Sequence, residues 1–232
     1  MAGTMGLLAL GVVMAIVFRH DISHQLALAE GRHIVASHKA ELLDLSAYYD
    51  MAASQFEQTK GSHFPEWAYV PRGFETFAHV PLQIGGIKCL WGAGNAKAGM
   101  SFDEEVTGIP MNREFETLYV YHCTFFGAPN KTPVYDLVFR YEDGSSMTNR
   151  MLYGVDVLDW FGSGGPSGSN SRLAWHGVYS SGGKTQPLRF CLTALENPYP
   201  SIEVTSIDLY SCKNISAGCV LAMTPGKSGL MH

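Results

Sequence analysis

The sequence predicts an antiparallel all-β fold, a sandwich or a barrel, and three observations carry that expectation. Nine short apolar segments follow one another between Phe74 and Thr224, punctuated by Gly, Pro, Asn and Asp and interrupted by no strong helical period. Strands this short and this evenly spaced belong to sandwiches and barrels. The composition agrees, with 46% hydrophobic, 12% aromatic and 16% charged residues and 25 glycines in 232 residues. That is a well-buried chain with one core and many turns, not a disordered one. The net charge of −5 comes with Lys and Arg scattered singly. No basic stripe is available to meet a phosphate backbone, so no nucleic acid is expected as a partner.

The N-terminus is a separate physical object. Met1 to Phe18 carries no charge and is apolar from Gly6 onward, until Arg19-His20-Asp21 stops it. Eighteen residues at about 1.5 Å each come close to the bilayer core of about 30 Å. Ala27-Leu28-Ala29 offers a small-x-small cleavage site, but no Lys or Arg precedes the apolar run. Residues 1–20 are therefore read as a signal anchor or a signal peptide, with the anchor preferred. The chain is expected to be membrane-anchored or secreted, its bulk outside the cytoplasm. Residues 21–58 read as a helical stalk, from the apolar positions Leu26, Leu28, Ile34, Val35, Leu42, Leu43 and Leu45 mixed with charged ones. His20 and His24 have the i, i+4 spacing of a shared metal face, but no carboxylate or cysteine nearby completes it.

Residues 59–232 form the expected β-sandwich domain. Strands are predicted near 74–80, 82–91, 115–124, 134–142, 145–152, 172–179, 187–195, 202–210 and 219–224. Tyr135, Leu137, Phe139 and Tyr141 alternate with polar or smaller residues and run into Asp143-Gly144, the signal of a two-residue hairpin turn. A second hairpin is expected where Lys213-Asn214 to Gly218 turns the chain and Cys219 to Met223 returns.

Phe77 to Gly86, Gly108-Ile109-Pro110, Leu118 to His122, Tyr141-Glu142-Asp143-Gly144-Ser145, Tyr153-Gly154, Asp159-Trp160, Ala174-Trp175, Glu196-Asn197-Pro198 and Leu221-Ala222-Met223-Thr224 follow in order. This succession, over roughly residues 70–225, resembles a jelly-roll module of the galactose-binding-domain-like type found in exported or membrane-anchored bacterial proteins. The resemblance implies a jelly-roll β-sandwich and, since that superfamily mostly binds carbohydrate, a sugar-binding role by analogy of fold.

The candidate site comes from strand parity. If consecutive strands alternate direction, loops 125–133, 153–171 and 196–201 share one end and gather Phe126, Asp156, Asp159, Trp160, Glu196 and Asn197. Trp160, beside two carboxylates and before the flexible Gly162 to Ser171 stretch, has the makings of a sugar platform: its ring would meet C–H groups while carboxylates accept from hydroxyls. A Trp plugging the core beneath that loop is the equal alternative. Glu196-Asn197-Pro198-Tyr199-Pro200 can also be simply a rigid turn, in which Asn bonds its own backbone two residues on.

Catalysis finds little support. Asp156 and Asp159 are neighbours on one loop, whereas glycoside hydrolysis needs two carboxyls facing across a substrate. No G-x-S-x-G elbow or phosphate loop occurs, and His122 and Cys123 are adjacent on a strand and point to opposite faces. The five cysteines show no metal-ligand spacing, so no metal site and no cofactor is expected, a structural calcium ion remaining open. Cys212 and Cys219 flank the final turn and could form a disulfide there. Two readings follow: a non-catalytic carbohydrate-binding module at the cell envelope, or a structural or protein-interaction domain of an envelope assembly, with a part in a glycoside hydrolase a lesser alternative. The partner is a glycan or an envelope protein, with the membrane engaged through the N-terminal segment.

Overall fold

The computed structural model describes residues 42–59, 65–181 and 183–231. The anchor or signal segment and the stalk up to residue 41 lie outside them. Among the described residues no helix is long and apolar enough to cross a membrane.

Among the described residues, twelve strands and three short helices follow in order: β1 (Met51–Ala52), 3-10 helices at Ala53–Thr59 and Pro65–Tyr69, β2 (Gly73–Phe77), β3 (Val80–Ile84), β4 (Gly86–Cys89), a short helix α1 (Ala93–Lys97), β5 (Glu105–Arg113), β6 (Thr117–Phe125), β7 (Pro133–Tyr141), β8 (Ser146–Leu152), β9 (Ser171–Ser181), β10 (Lys184–Glu196), β11 (Val204–Ser211) and β12 (Ala217–Gly226). They form a six-stranded sheet in the order β1-β4-β12-β6-β10-β9, a four-stranded sheet β5-β11-β7-β8 and a β2-β3 ribbon. Every pairing within the sheets is antiparallel. The expectation of an all-β antiparallel sandwich is met.

The large sheet is covered on both faces. Its inner face sends Leu118, Val120, Val220 and Met223 against Leu137, Phe139, Ile207 and Leu209 of the smaller sheet. Its outer face sends Tyr119, Tyr121, Cys123 and Phe125 into a second core beneath Phe56, Trp67, Val80, Leu82 and Ile84. Every residue of β6 is consequently buried. A strand buried on both faces loses the in-out alternation and reads as one apolar run, which is how Leu118 to Phe125 reads in the sequence.

The expected stalk does not extend to residue 58. From Leu42 onward the chain belongs to the sandwich: Leu43 and Leu45 enter the inter-sheet core, Met51 and Ala52 pair with Ile87 and Gly86, and Phe56 is buried in the second core. Leu42, Leu43 and Leu45, read as part of a helical pattern, are buried residues of an irregular lead-in. The strand expected over 82–91 is two, since β3 pairs only in the ribbon while β4 joins the large sheet. β5 falls where a loop was expected. Val106, Ile109 and Met111 are its buried positions, but Gly108 and Asn112 take positive φ and Pro110 interrupts the pattern. A proline is tolerated because β5 is an edge strand, whose outward N–H has no ladder partner to lose.

The β7-β8 hairpin stands with a modified turn. Arg140 faces Ser146, the Tyr141 amide donates to Ser145 O at 3.0 Å and the Gly144 amide to Tyr141 O at 3.0 Å. Gly144 takes the left-handed position at φ 84°, making a three-residue loop in place of the expected two-residue one. The Asp143 carboxylate accepts from the Ser145 amide and hydroxyl at 2.8 and 2.6 Å and braces the turn. The second expected hairpin is absent, because β11 and β12 lie in different sheets and residues 212–216 cross between them.

Candidate functional site

The six residues expected on one face are divided between the two ends of the sandwich. Phe125 pairs with Ala217 at one end of β6, and Thr117 pairs with Glu196 at the other. Phe126 therefore lies at one end and Glu196 with Asn197 at the opposite end. Strand parity fails at the 153–170 segment, which runs along the sandwich instead of turning back. Near Phe125 it is held by Thr124 N donating to Leu158 O at 2.9 Å and Trp160 N donating to Thr124 O at 3.0 Å; it finishes where Ala194 N donates to Asn170 O at 2.8 Å.

Trp160 is 4% exposed and belongs to the second core. Its ring stacks on Trp67 with centroids 4.8 Å apart and planes at 22°, and it meets Phe125 at 5.3 Å and Phe161 at 4.7 Å. The backbone seats it there: residues 158–161 wedge between the diverging ends of β6 and β10, with Arg189 N donating to Trp160 O at 2.8 Å. The core-plugging alternative is the correct one, and the sugar platform at Trp160 is withdrawn.

The two carboxylates beside it are occupied by the protein's own backbone. Asp159 Oδ1 accepts from the Phe161 amide at 2.8 Å, and the Arg189 guanidinium donates to Asp159 O at 2.7 Å and Gly164 O at 2.8 Å, pinning the loop. Asp156 is buried, its Oδ2 accepting from the Leu152 amide at 2.9 Å. Burial pushes both carboxyls above their ordinary pKa, Asp156 and Asp159 alike. Turned into the fold, they do not face each other across a substrate cleft as an acid and base would.

Asp156 adjoins a buried polar chain that crosses the inter-sheet core. Tyr135 OH lies 2.6 Å from His122 Nδ1, His122 Nε2 lies 2.9 Å from Thr193 Oγ1, Thr193 Oγ1 donates to Asp156 O at 2.9 Å, and Ser171 Oγ lies 2.9 Å from Thr193 Oγ1. With the Thr193 proton committed to Asp156 O, His122 Nε2–H donates to Thr193 and Nδ1 accepts from Tyr135. Both ring nitrogens are satisfied with the imidazole neutral, and burial lowers the His122 pKa to about 3. His122 is a satisfied core histidine, and nothing nucleophilic is presented to solvent through it.

At the far end Asn197 is buried and Glu196 exposed. Asn197 Oδ1 accepts from Tyr141 OH at 2.7 Å and from the Tyr199 amide at 3.0 Å, while Nδ2 donates to Phe115 O at 2.9 Å. This is the rigid-turn alternative, with a buried amide tying three segments together. Asn197→Ala should leave the backbone of Phe115 and the Tyr141 hydroxyl without partners and cost about 2–4 kcal/mol. Glu196→Ala should stay within about 0.5 kcal/mol. Urea unfolding of the two variants checks the contrast; equal effects would contradict these positions.

Two large apolar side chains are left exposed at the Phe126 end. Phe126 is 39% exposed and Ile215 43% exposed. The Phe126 backbone is left-handed at φ 64°, an uncommon conformation for a bulky residue that the surroundings must hold. Its carbonyl accepts from Ser216 Oγ at 2.7 Å and Thr124 Oγ1 at 3.3 Å. The ring lies over Gly94 of α1, where a Cβ would come within 2.6 Å of the ring and 2.8 Å of Ile215 O, so only glycine admits this approach. The Gly94 amide donates to Ile215 O at 3.0 Å, completing the junction. The polar neighbours are engaged: Asn214 Oδ1 accepts from the Ser216 amide at 2.8 Å and Nδ2 donates to Pro133 O, and Lys213 pairs with Glu104. Strand positions alone could not find Ile215 or Gly94, since both acquire meaning only when α1 meets the β11-β12 crossover.

Among the described residues no set of three or more His, Cys, Asp or Glu converges as a metal site. The expected Cys212–Cys219 pair is corrected by the topology. Cys212 follows β11 in the smaller sheet, its thiol 3.9 Å from Asp136 Oδ1, whereas Cys219 is buried in β12 opposite Cys89 and Cys123. Comparison with family models finds no match, and searches of curated proteins and of solved structures likewise return none.

Proposed function

We propose that this chain is a non-catalytic interaction domain of the cell envelope or extracellular space, and that it contacts a protein partner through the apolar patch of Phe126 and Ile215. The observation that carries this reading is the exposure of both side chains at the junction with Gly94, at the end where the Trp160 ring turns inward. A sugar site needs free donors and acceptors around an aromatic face, and here the neighbouring polar groups are already bonded within the fold. An apolar surface held in a strained, well-braced backbone suits a protein contact. The Phe126 ring is the one feature that still favours a glycan, because an exposed aromatic face can stack on a pyranose.

The jelly-roll assignment, of the galactose-binding-domain-like type, is supported by the way β4, β5, β6 and β7 alternate between the sheets, and β10, β11 and β12 do so again, an arrangement expected of two interlocked Greek keys. The uncharged N-terminal run supports tethering at a membrane. A glycan array probed with the chain in detergent, with and without calcium, separates the two partner classes. No glycan should be retained above background. Retention that disappears in Phe126→Ala, with unfolding unchanged, would return the carbohydrate-binding reading.

A further inference from the structure

We propose that Cys89 and Cys219 are a cross-strand pair that closes as a disulfide when the chain folds in the presence of a disulfide oxidant. β12 lies between β4 and β6, which places Cys219 directly opposite Cys89 on one side and Cys123 on the other. All three side chains enter the second core and are at most 1% exposed. The Cys219 thiol interacts with both of the others.

The backbone hydrogen bonds decide between the two partners. Directly opposed residues of an antiparallel ladder alternate between hydrogen-bonded and non-hydrogen-bonded pairs, with Cα atoms about 5.5 and about 4.5 Å apart, respectively. Leu90 N donates to Gly218 O at 2.8 Å, so Leu90 and Gly218 form a bonded pair and the next pair, Cys89 and Cys219, is non-bonded. The Cys89 amide confirms it by turning away from β12 to donate to Asp50 Oδ2 at 2.7 Å. The same alternation turns the Cys219 amide and carbonyl toward β6, making Cys219–Cys123 the wider pair. Cys89 is thus the partner whose side chain comes nearest, and a separation of about 4.5 Å lies within the span a disulfide bridges.

Burial raises both thiol pKa values, so the folded, reduced pair is shielded from oxidants in solution. The bond therefore forms before the outer core closes over β4 and β12. One cysteine thiolate attacks the oxidant's disulfide and expels one oxidant thiolate, leaving a mixed disulfide. The second cysteine thiolate then attacks the protein sulfur of that mixed disulfide and expels the other oxidant thiolate. The two protein thiols are oxidised, the oxidant is reduced to two thiols, and the two thiol protons pass to the released thiolates. The bridge ties the early strand β4 to the last strand β12 and closes a long loop, the arrangement in which a cross-link most restricts the unfolded chain.

Peptide mapping of the refolded full chain tests this. The chain is unfolded with reductant and diluted into reduced and oxidised glutathione in mild detergent. It is then acid-quenched, alkylated in denaturant, digested and analysed by mass spectrometry. The expected product is one linked peptide pair, Cys89 with Cys219, with Cys123, Cys191 and Cys212 alkylated. Its urea midpoint should lie above that of the reduced protein, and Cys123→Ala should leave the linkage in place. Cys219 linked to Cys123 or to Cys212, or both Cys89 and Cys219 recovered alkylated, would overturn the proposal.

Discussion

Trp160→Ala should lower the unfolding free energy by about 3–5 kcal/mol, the usual cost of removing a buried Trp and leaving its cavity. For a chain of this size that corresponds to a fall in Tm of roughly 6–20 °C. The size of the effect comes from position. The indole fills the gap where β6 and β10 diverge, stacked on Trp67 and flanked by Phe125 and Phe161, so its loss removes contacts from the loop, the sheet and the N-terminal cover together. Trp160→Phe should recover part of the loss, because it keeps an aromatic surface against Trp67. A Trp160→Ala protein that melts with the parent would contradict the placement of this side chain in the core.

The second large effect is a loss of stability on mild acidification, traced to His122. Its folded pKa, about 3, lies below the ordinary value of 6.5. Above pH 6.5 the imidazole is neutral in both states and costs nothing. Between 6.5 and about 3 the unfolded chain binds a proton that the folded chain refuses, so stability falls as pH falls, by up to about 1.4 kcal/mol per unit and roughly 4–5 kcal/mol in all. Buried Asp156 and half-buried Asp159, whose carboxyl pKa values are raised, act with the opposite sign, since acidification relieves the cost of their charge. Asp143, lowered by its Ser145 contacts, loses stability only as pH falls through the ordinary carboxylate range. Over the interval from pH 6.5 to about 5 the histidine lowers stability and the raised carboxyls oppose it, so its share is the part of the slope that its substitution removes. Urea unfolding over that interval should show the slope, and His122→Gln should flatten it even though the variant starts less stable. A histidine-selective NMR titration gives the same answer without a variant: the His122 ring should stay neutral at pH 5. A ring that protonates near pH 6.5 would contradict the account.

How much was legible in the sequence depended on whether a residue's role is local. The β7-β8 hairpin could be read because Tyr135 to Tyr141 alternate beside a turn whose glycine is required by the backbone itself. Asn197 was readable as a turn residue for the same reason, its bond to the Tyr199 amide spanning only two positions. β5 escaped because Gly108, Pro110 and Asn112 are features of an edge strand that look like a loop. The candidate face failed for a topological reason: a segment of 153–170 that travels the length of the sandwich has the same composition as one that turns back. Trp160 was undecidable from its neighbours, since the partner that buries it, Trp67, comes from a segment far upstream. Cys219 shows the same limit, its neighbouring cysteines lying on β4 and β6 and not across the adjoining turn.

Photo-crosslinking from the patch tests the proposed protein contact most directly. A benzophenone amino acid is placed singly at Phe126, at Ile215 and, as a control, at Tyr199, which is 52% exposed at the opposite end of the sandwich. With the full chain expressed in its native cells, illumination should yield the same discrete protein adduct from positions 126 and 215 and not from 199. Adducts that are absent from 126 and 215, or that form equally from 199, would contradict a partner docked on this patch.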